Sequence, residues 1–522
     1  MYRSLLLLVI LMFLAPIPFQ PVRAACDPNA FLRRVSVSSS GEEANNNSFA
    51  PIISGNGRVV AFISAASNLV PNDTNNAWDA FIHNLDTCET IRVSESATGE
   101  QSTGTGERIA LSWDGRIVVF NSTASNLVPN DTNGLEDIFV RDMLTGDLQQ
   151  ISVGPGSVEA NGRSLVAQVS ADGNLIVHES TATNLQSLIP VSGNPPSGQI
   201  YVYNRQTGQH RLISVNALGQ VGNNNSSFPD ISADGRVIVF DSQATNLLPR
   251  DINPDGDIYR VDMQTGEMTL ASVGQGLGDP GIPAQFPKVS GDGRYIIFLF
   301  DGQYRLRDHQ NQTTITISIN ENGEMGNFID MFAGISANAR FVSLDTGATN
   351  LLPDDTRPTG TILAYELATK RFRRIVLTAQ GEWIGDGSSH SGWSAISANG
   401  DAFVFITPVN GLIPEDTNGF ADVYVTGLPP ASPIIPQRNF YTVQNPVLTW
   451  AGTSNAIRYE LQVNRTAAFT PPLEFQTTVD APQQEAEVTL IAGQYFWRVR
   501  SCTGPTTCGA WSVVDSFVIE LP

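Results

Sequence analysis

Four short loops of the sequence place oxygen-bearing side chains at alternate positions, an arrangement that suits a hard cation. In Asp131-Thr132-Asn133-Gly134 the first and third residues are Asp and Asn, and another aspartate, Asp137, stands at the seventh position. The pattern recurs at Asp73, Asn75 and Asp79; at Asp251, Asn253, Asp255 and Asp257; and at Asp416, Asn418 and Asp422. Carboxylate and amide oxygens are the ligands that Ca²⁺ prefers, so calcium binding is one interpretation of these loops.

The same residue types also have a purely structural use. The loops are shorter than an EF-hand loop and lack its terminal bidentate glutamate. Asp and Asn cap backbone N–H groups in Asx turns, and the last aspartate of each loop stands at the start of a predicted strand. Structural turns are therefore the second interpretation, and the sequence leaves both open.

No catalytic set stands out among the other reactive residues. The five histidines, His83, His178, His210, His309 and His390, fall at non-equivalent places in the chain. The sequence contains no His-Glu-x-x-His helix motif, no Gly-x-Ser-x-Gly elbow and no cysteine-rich metal cluster. A site assembled from carboxylates of several repeats stays the alternative to a non-enzymatic protein.

These loops belong to a repeat whose clearest copy runs from Ile231 to Val273. Its marker phrase, Ile-Ser-Ala-Asp-Gly, gives serines at intervals of 58, 58, 62, 58, 46 and 61 residues by subtraction, at Ser54, Ser112, Ser170, Ser232, Ser290, Ser336 and Ser397. Short strands and turn residues inside each period are typical of a β-propeller.

Each copy predicts four strands, a to d. Val237 to Phe240 is apolar without alternation, which indicates a strand b with both faces buried between neighbouring sheets. The seventh copy has no strand d, whereas Arg34 to Val37 resembles a strand d without a copy of its own. We therefore predict an all-β, seven-bladed propeller over residues 31–428, closed by its N-terminal strand, which protects an otherwise open edge.

The repeat also resembles a known family. Ser232 to Phe240, Asp137 to Asp142 and the turn at Thr145-Gly146 are similar to the WD-repeat-like propeller repeats of the TolB family of exported bacterial proteins. This resemblance covers roughly residues 31–428 and implies an extracytoplasmic protein-binding scaffold.

Strand order divides the connections between two faces. The a–b and c–d turns are short and share one face, while the longer b–c and d–a connections share the other, here named the long-loop face. The fifth copy is shorter and replaces its b–c loop, which predicts a notch there. Aromatic and arginine side chains dominate binding hot spots. The predicted partner contacts are Tyr304, Arg305, Arg307, Trp383 and Trp393.

The C-terminal part changes character after a Pro-rich linker at residues 429–436. Val447 to Trp450, Arg458 to Val463, Tyr495 to Arg500 and Ser516 to Ile519 predict the strands of a small β-sandwich over residues 437–522. This segment resembles a fibronectin type III domain, which implies a spacer or docking module.

The leader and the cysteines predict a location outside the cytoplasm, and the charge limits the classes of partner. The formal net charge is -21, which argues against nucleic acid or an anionic membrane as the partner. Residues 1–24 have the features of a secretory signal peptide, and no later segment is apolar enough to span a bilayer. The four cysteines predict two disulfides, Cys502–Cys508 and Cys26–Cys88.

The functional hypothesis is an exported, non-enzymatic scaffold that binds a protein or a cell-surface glycan on its long-loop face. Its location is predicted as periplasmic, cell-surface or secreted, and Ca²⁺ is the single cofactor considered. The alternative is an extracellular polysaccharide hydrolase or lyase with its active site at the propeller axis.

Overall fold

A computed structural model describes residues 32–106, 108–186, 198–249, 255–273, 282–328, 330–352, 361–376 and 394–427, and shorter stretches between 440 and 519. Strands and turns make up these residues, with no helix among them. The predicted signal peptide (1–24) and linker (429–436) lie outside this described part.

The strands up to residue 427 form four-stranded antiparallel sheets, apart from one two-stranded hairpin at residues 153–159. In chain order they are β1 (Leu32–Arg34), β2 (Ser48–Ile53), β3 (Val59–Ser64), β4 (Asp79–Asn84), β5 (Thr90–Arg92), β6 (Ile109–Leu111), β7 (Ile117–Ser122), β8 (Asp137–Asp142), β9 (Leu148–Gln150), β10 (Val153–Gly154), β11 (Val158–Glu159), β12 (Ser164–Val169), β13 (Leu175–Ser180), β14 (Gln199–Asn204), β15 (Gln209–Leu212), β16 (Ser226–Ile231), β17 (Val237–Ser242), β18 (Asp257–Asp262), β19 (Met268–Leu270), β20 (Ala284–Val289), β21 (Tyr295–Phe300), β22 (Gln303–Asp308), β23 (Thr313–Thr316), β24 (Asp330–Ile335), β25 (Phe341–Thr346), β26 (Thr361–Glu366), β27 (Arg371–Arg374), β28 (Ser394–Ile396), β29 (Ala402–Thr407) and β30 (Asp422–Gly427).

Seven such sheets occur in the described residues, and we number them as blades in chain order: β2–β5, β6–β9, β12–β15, β16–β19, β20–β23, β24–β27, and β28–β30 with β1. Each blade packs against the next, and β2 of blade one packs against β28 and β29 of blade seven, which closes a ring. The fold is a β-propeller. The predicted all-β architecture and its closing strand are confirmed, since β1 pairs antiparallel with β30, Arg33 opposite Val425.

The second strand of each blade is buried on both faces, as its unbroken apolar pattern predicts. Val237 to Phe240 are all at most 2% exposed. Phe240 stacks on Tyr259 of the adjacent strand with ring centroids 5.5 Å apart, and blades one, two and seven contain equivalent aromatic pairs. Burial of these pairs, together with the aliphatic residues around them, stabilises the ring.

A closed ring of backbone hydrogen bonds joins the a–b turns around the axis. The N–H of each turn donates to a turn carbonyl of the next blade over 2.9–3.1 Å, in the order Asn56 to Trp113, Trp113 to Ala171, Ala171 to Ala233, Ala233 to Gly291, Gly291 to Ala337, Asn338 to Ala398, and Ala398 to Gly55. Small residues occupy most of this ring because the turns crowd together at the axis. A Cβ on Gly291 would lie 2.7 Å from that of Ala337.

The innermost strand of several blades carries a bulge at an equivalent position. Ala50, Val166, Phe228 and Phe286 have φ values of 50°, 37°, 47° and 55°, and the register shifts at each of them. Left-handed φ is unfavourable for such residues, so neighbouring blades must hold these bulges in place.

The C-terminal described residues form two further sheets. Their strands are β31 (Phe440–Tyr441), β32 (Val447–Thr449), β33 (Arg458–Asn464), β34 (Phe475–Asp480), β35 (Glu485–Glu487), β36 (Gly493–Cys502) and β37 (Asp515–Ile519). The five-stranded sheet has the order β31-β37-β36-β33-β34, and β32 pairs with β35. Leu448, Tyr459 and Trp497 belong to a common buried core. The resemblance to fibronectin type III stays a prediction.

Candidate functional site: the Asp/Asn loops and the long-loop face

The long-loop face is built from a b–c loop and a d–a hairpin that an asparagine ties together. Asn246 accepts a hydrogen bond from the N–H of Asn223 at 2.8 Å and donates to the carbonyl of Val221 at 2.9 Å. The same donation to a hairpin carbonyl is made by Asn68, Asn126, Asn184 and Asn350. These side chains lock each loop against its hairpin, in line with their fixed spacing in the sequence.

In blade one, the predicted metal-ligating residues surround an arginine. Asp73 lies 3.4 Å and Asp79 3.9 Å from the guanidinium of Arg92, which reaches across from strand d. Asn75 turns its amide nitrogen, not its oxygen, towards Asp79 at 2.9 Å. Ser94 donates to the other oxygen of Asp79 at 2.5 Å. A cation is therefore already present in this loop as a side chain.

Blade seven repeats the arrangement with Arg34 of the closing strand. Its guanidinium lies 3.5 Å from Asp416 and 3.4 Å from Asp422. Asn418 donates to Asp422 at 3.3 Å, and Tyr424 donates to Asp416 at 2.6 Å. Burial raises the pKa of Asp422 to about 6 in spite of the arginine, because that carboxyl is fully enclosed.

Blade two has the loop without the arginine. Asn133 donates to Asp137 at 3.0 Å and Ser152 donates to the other oxygen of Asp137 at 2.5 Å, as in the sister blades. The residue two positions before the serine is Gln150 here. The charge of Asp137 acts on Asp131, and the Gln150 side chain bonds Asp137 where blades one and seven have a guanidinium.

Blade four is described only in part. Asp251 and Asn253 lie outside the described residues, and so nothing is said of their placement. Asp257 begins strand c and accepts a hydrogen bond from Ser272 at 2.6 Å, as the structural-turn interpretation expects. The calcium interpretation of Asp251, Asn253, Asp255 and Asp257 stays a prediction.

The predicted partner contacts in blade five need correction. The b–c loop is replaced by a two-residue turn, Asp301-Gly302, since Phe300 pairs directly with Gln303. Tyr304 and Arg307 therefore fall within β22, where they are 1% and 5% exposed, so assigning them as contact residues is wrong. Arg305 is half-buried with its guanidinium 5.7 Å from the Phe300 ring centroid. Trp383 and Trp393 lie outside the described residues.

The structure describes three of the four cysteines. Cys502 and Cys508 form a disulfide in the C-terminal sheets. Cys88 is disulfide-bonded in the c–d turn of blade one. Cys26 lies outside the described residues, so the Cys26–Cys88 pairing stays a prediction.

The sequence analysis did not predict a pair of buried carboxylates. Burial raises the pKa values of Glu179 in β13 and Asp241 in β17 to about 7, and the charge of Glu179 raises that of Asp241 further. Asp241 accepts the N–H of Phe286 at 3.3 Å, and Phe228 bonds Glu179 in the same way, so each carboxylate binds a bulge of the next blade. Both residues stand nine positions after a marker serine, where blades one, five and seven have Ile or Leu. A charged residue at this position of an otherwise apolar strand b was the sequence signal that could have identified both carboxylates.

Blade two places a further buried carboxylate near this region. Glu136 precedes strand c and lies 2.6 Å from the guanidinium of Arg163, and it also accepts the amide of Asn121. Its charge is therefore neutralised by the neighbouring blade. Glu136, like Glu179 and Asp241, connects adjacent blades.

Comparison with known proteins concerns the fold alone. No family model and no curated protein matches the chain. Among solved structures, a protein described as TolB from Agrobacterium tumefaciens is 17% identical with a TM-score of 0.35, covering 66% of this chain and 96% of that one. The chain is similar to TolB in fold.

Two other solved structures are also similar to the chain. One of two prolyl endopeptidases is 11% identical with a TM-score of 0.44, covering 90% of this chain and 56% of that one. A chain of the Mitotic Checkpoint Complex is 10% identical with a TM-score of 0.40, covering 77% of this chain and 95% of that one. A fold does not fix a function, so function is argued from this chain's own residues.

No helix suited to crossing a membrane was found among the described residues.

Proposed function

We propose that the protein is an exported, non-enzymatic scaffold that binds a protein partner on its long-loop face. The observation that carries this is the placement of exposed apolar side chains. Val158, Leu218, Met325 and Phe328 are 57%, 82%, 56% and 57% exposed, and all four stand on d–a connections. Trp113 and Leu144 are exposed on the short-turn face, so the long-loop face carries four of these six large apolar side chains, which favours it as a protein interaction surface.

The framework beneath these side chains supports the same function. The asparagine ties described above repeat from blade to blade, while the hairpin tips differ, from Ser39-Ser40 in one connection to Leu218-Gly219 in another. A rigid frame that presents variable tips is typical of scaffolds whose loops recognise a partner. The net charge of -21 favours partners that are basic or neutral over nucleic acid.

Export and a glycan partner are the parts of the proposal that rest on sequence. The signal-like residues 1–24 and the disulfide between Cys502 and Cys508 favour an oxidising, extracytoplasmic compartment. A cell-surface glycan stays the second partner class of the proposal. Three of the four exposed side chains, Val158, Leu218 and Met325, are not aromatic, which favours a protein over a glycan partner.

The experiment compares matched variants of the two faces. Leu218→Ser combined with Met325→Ser should lower the affinity for a partner captured from envelope extract by at least tenfold. Leu144→Ser, on the short-turn face and 73% exposed, is the control and should leave the affinity unchanged. Equal binding by all three proteins would contradict the proposed face, and thermal unfolding checks that each variant is folded.

For the hydrolase or lyase alternative, two candidate catalytic residues can be named. Glu179 and Asp241 lie in adjacent blades and interact electrostatically, and burial raises both pKa values to about 7. Paired carboxyl groups with raised pKa values are found in glycosidases. Their bonds to the bulges of neighbouring blades favour a structural role. Polysaccharide cleavage that Glu179→Gln abolishes would support the alternative over the scaffold.

A further inference from the structure

The sequence contains seven Asn-Gly pairs, and their asparagine side chains differ in how firmly they are held. The pairs begin at Asn56, Asn133, Asn161, Asn322, Asn399, Asn410 and Asn418. Glycine lacks the Cβ that would crowd the backbone nitrogen, so this nitrogen can approach the side-chain amide of the asparagine before it. Such a pair can therefore lose ammonia wherever the amide is free to turn towards the backbone.

Five of the seven asparagines use the side chain in hydrogen bonds. They are Asn56, Asn133, Asn161, Asn399 and Asn418. The Nδ2 of Asn418 donates to the carbonyl of Ala44 at 2.8 Å and to Asp422 at 3.3 Å. Its Oδ1 accepts the N–H of Phe420 at 2.8 Å. The amide of Asn418 cannot turn towards the backbone without breaking these bonds.

The side chains of Asn322 and Asn410 are exposed and make no hydrogen bond with the described residues. The two pairs differ in the backbone nitrogen that follows. Gly323 donates its N–H to the carbonyl of Asn320 at 3.0 Å, which holds that nitrogen in place. The N–H of Gly411 donates to no described residue. Within the described part of the chain, both reacting groups are therefore free in the pair Asn410-Gly411.

The freedom of Asn410 follows from a substitution in the b–c loop of blade seven. Gly411 stands at the position where Asn246 of blade four ties the same loop to its hairpin. Glycine has no side-chain amide and cannot make this tie. Asn410 itself replaces Thr245, whose N–H donates to Asn223 of the hairpin at 2.9 Å. Blade seven thus keeps the loop but loses the residues that fasten it.

We propose that Asn410 is the site of a spontaneous deamidation that adds a negative charge to the long-loop face. The backbone nitrogen of Gly411 gives its proton to hydroxide and attacks Cγ of Asn410, which closes a succinimide ring. The Cγ–Nδ2 bond breaks and ammonia leaves, and water then opens the ring at either carbonyl to give aspartate or isoaspartate. A nucleophile held next to its target favours this attack over attack by water. The reaction needs no partner and so does not depend on the function proposed above.

Ageing of the purified full chain at mildly alkaline pH tests the proposal. Peptide mapping by mass spectrometry follows the exchange of amide for carboxyl at each pair. Asn418 is the matched internal control, because it lies in the same loop, and the N–H of Gly419 also donates to no described residue. Asn410 should react about tenfold faster than Asn418, whose hydrogen bonds must break first. Asn410→Gln should remove the modification, since the longer side chain would have to close a larger ring.

A sample unfolded in urea separates the effect of the fold from that of the sequence. Both pairs are free in the unfolded chain, so the rate at each site is expressed relative to its own rate in urea. The fold should slow Asn418 strongly and Asn410 little. Equal slowing of the two sites would overturn the proposal, as would a folded chain in which Asn322 reacts before Asn410. Intact Asn410 in a folded chain, under conditions where the unfolded chain reacts, would overturn it as well.

Discussion

At the scale of single residues, one position in strand d separates loops that are otherwise alike. Blades one and seven place Arg92 and Arg34 there, and each guanidinium lies within 4 Å of both loop aspartates. Blade two places Gln150 there. Because the second aspartate of the loop starts strand c in each of these three blades, the strand geometry is kept while the charge at this position changes by one unit. Charge can thus be altered at one blade without altering the fold.

Glu179 and Asp241 predict a pH dependence of stability. The folded chain holds protons on both carboxyls up to about pH 7, whereas the unfolded chain releases them near pH 4. Between these values the folded state binds more protons, so these two groups make stability fall as pH rises through the window and level off above it. The variant Glu179→Gln with Asp241→Asn should remove this fall and be more stable than wild type at pH 8 by ~1–3 kcal/mol.

Urea unfolding at pH 5.5 and pH 8 measures this effect as a difference between the two proteins. The comparison of two proteins is needed because His178 and His210 have the opposite effect on stability. Burial lowers the pKa values of both histidines, that of His178 to about 3. Their contribution to folding stability is therefore lost as the solution becomes acidic. The histidines are present in both proteins and cancel. Parallel pH profiles for the two proteins would show that the carboxyls are ionised in the folded state.

At the scale of elements, the a–b turns do more than reverse the chain. Their backbone groups form the hydrogen-bonded ring at the axis, and this explains why the position after the marker serine is small in six of the seven copies. Trp113 is the exception, and its ring lies over Gly55, where a Cβ would meet it at 2.2 Å. The turn sequence is therefore set by packing around the axis as well as by turn conformation.

Gly291→Ala tests this packing. The added methyl would lie 2.7 Å from Cβ of Ala337 and 3.2 Å from Cβ of Ala233, so the turns must separate and weaken the ring. We expect the variant to lose ~1–3 kcal/mol of stability, seen as a lower melting temperature. Ala233→Gly removes a methyl from the same ring and should cost less, about 0.5–1 kcal/mol. Equal melting temperatures for Gly291→Ala and wild type would refute the crowding.

The sequence predicts strands better than it predicts side-chain partners, for a physical reason. Strand b of blade four shows its buried environment in its own four residues, and the marker serine fixes the turn before it. The pairing of Arg92 with Asp79 depends on two strands meeting in register, which no local pattern encodes. The prediction of Tyr304 as a contact residue was wrong for the same reason. The shortened turn places Tyr304 in a buried strand instead of the predicted loop.

At the scale of the whole molecule, the ring depends on one long-range pairing. The closing strand β1 is nearly 400 residues from β30, yet the two form three consecutive pairs, and beyond them the N–H of Val35 donates to Val423 at 2.8 Å. Arg34 adds ion pairs to the blade-seven loop, and Ser36 donates to Asp422 at 2.5 Å. Backbone and side-chain bonds thus close the ring at the same strand.

Val35→Pro tests how far the propeller depends on this closure. Proline lacks the N–H that bonds Val423, so the closing strand should loosen and expose the edge of β30 to solvent. Val35→Ala is the matched control: it keeps the hydrogen bond and loses only buried apolar volume, worth about 2 kcal/mol. We expect Val35→Pro to lower the melting temperature further than Val35→Ala and to promote association on size-exclusion chromatography, because an open sheet edge pairs with other chains. If the two variants melt together and both stay monomeric, the seventh sheet holds without its closing hydrogen bonds, and packing against blades one and six alone keeps the ring shut.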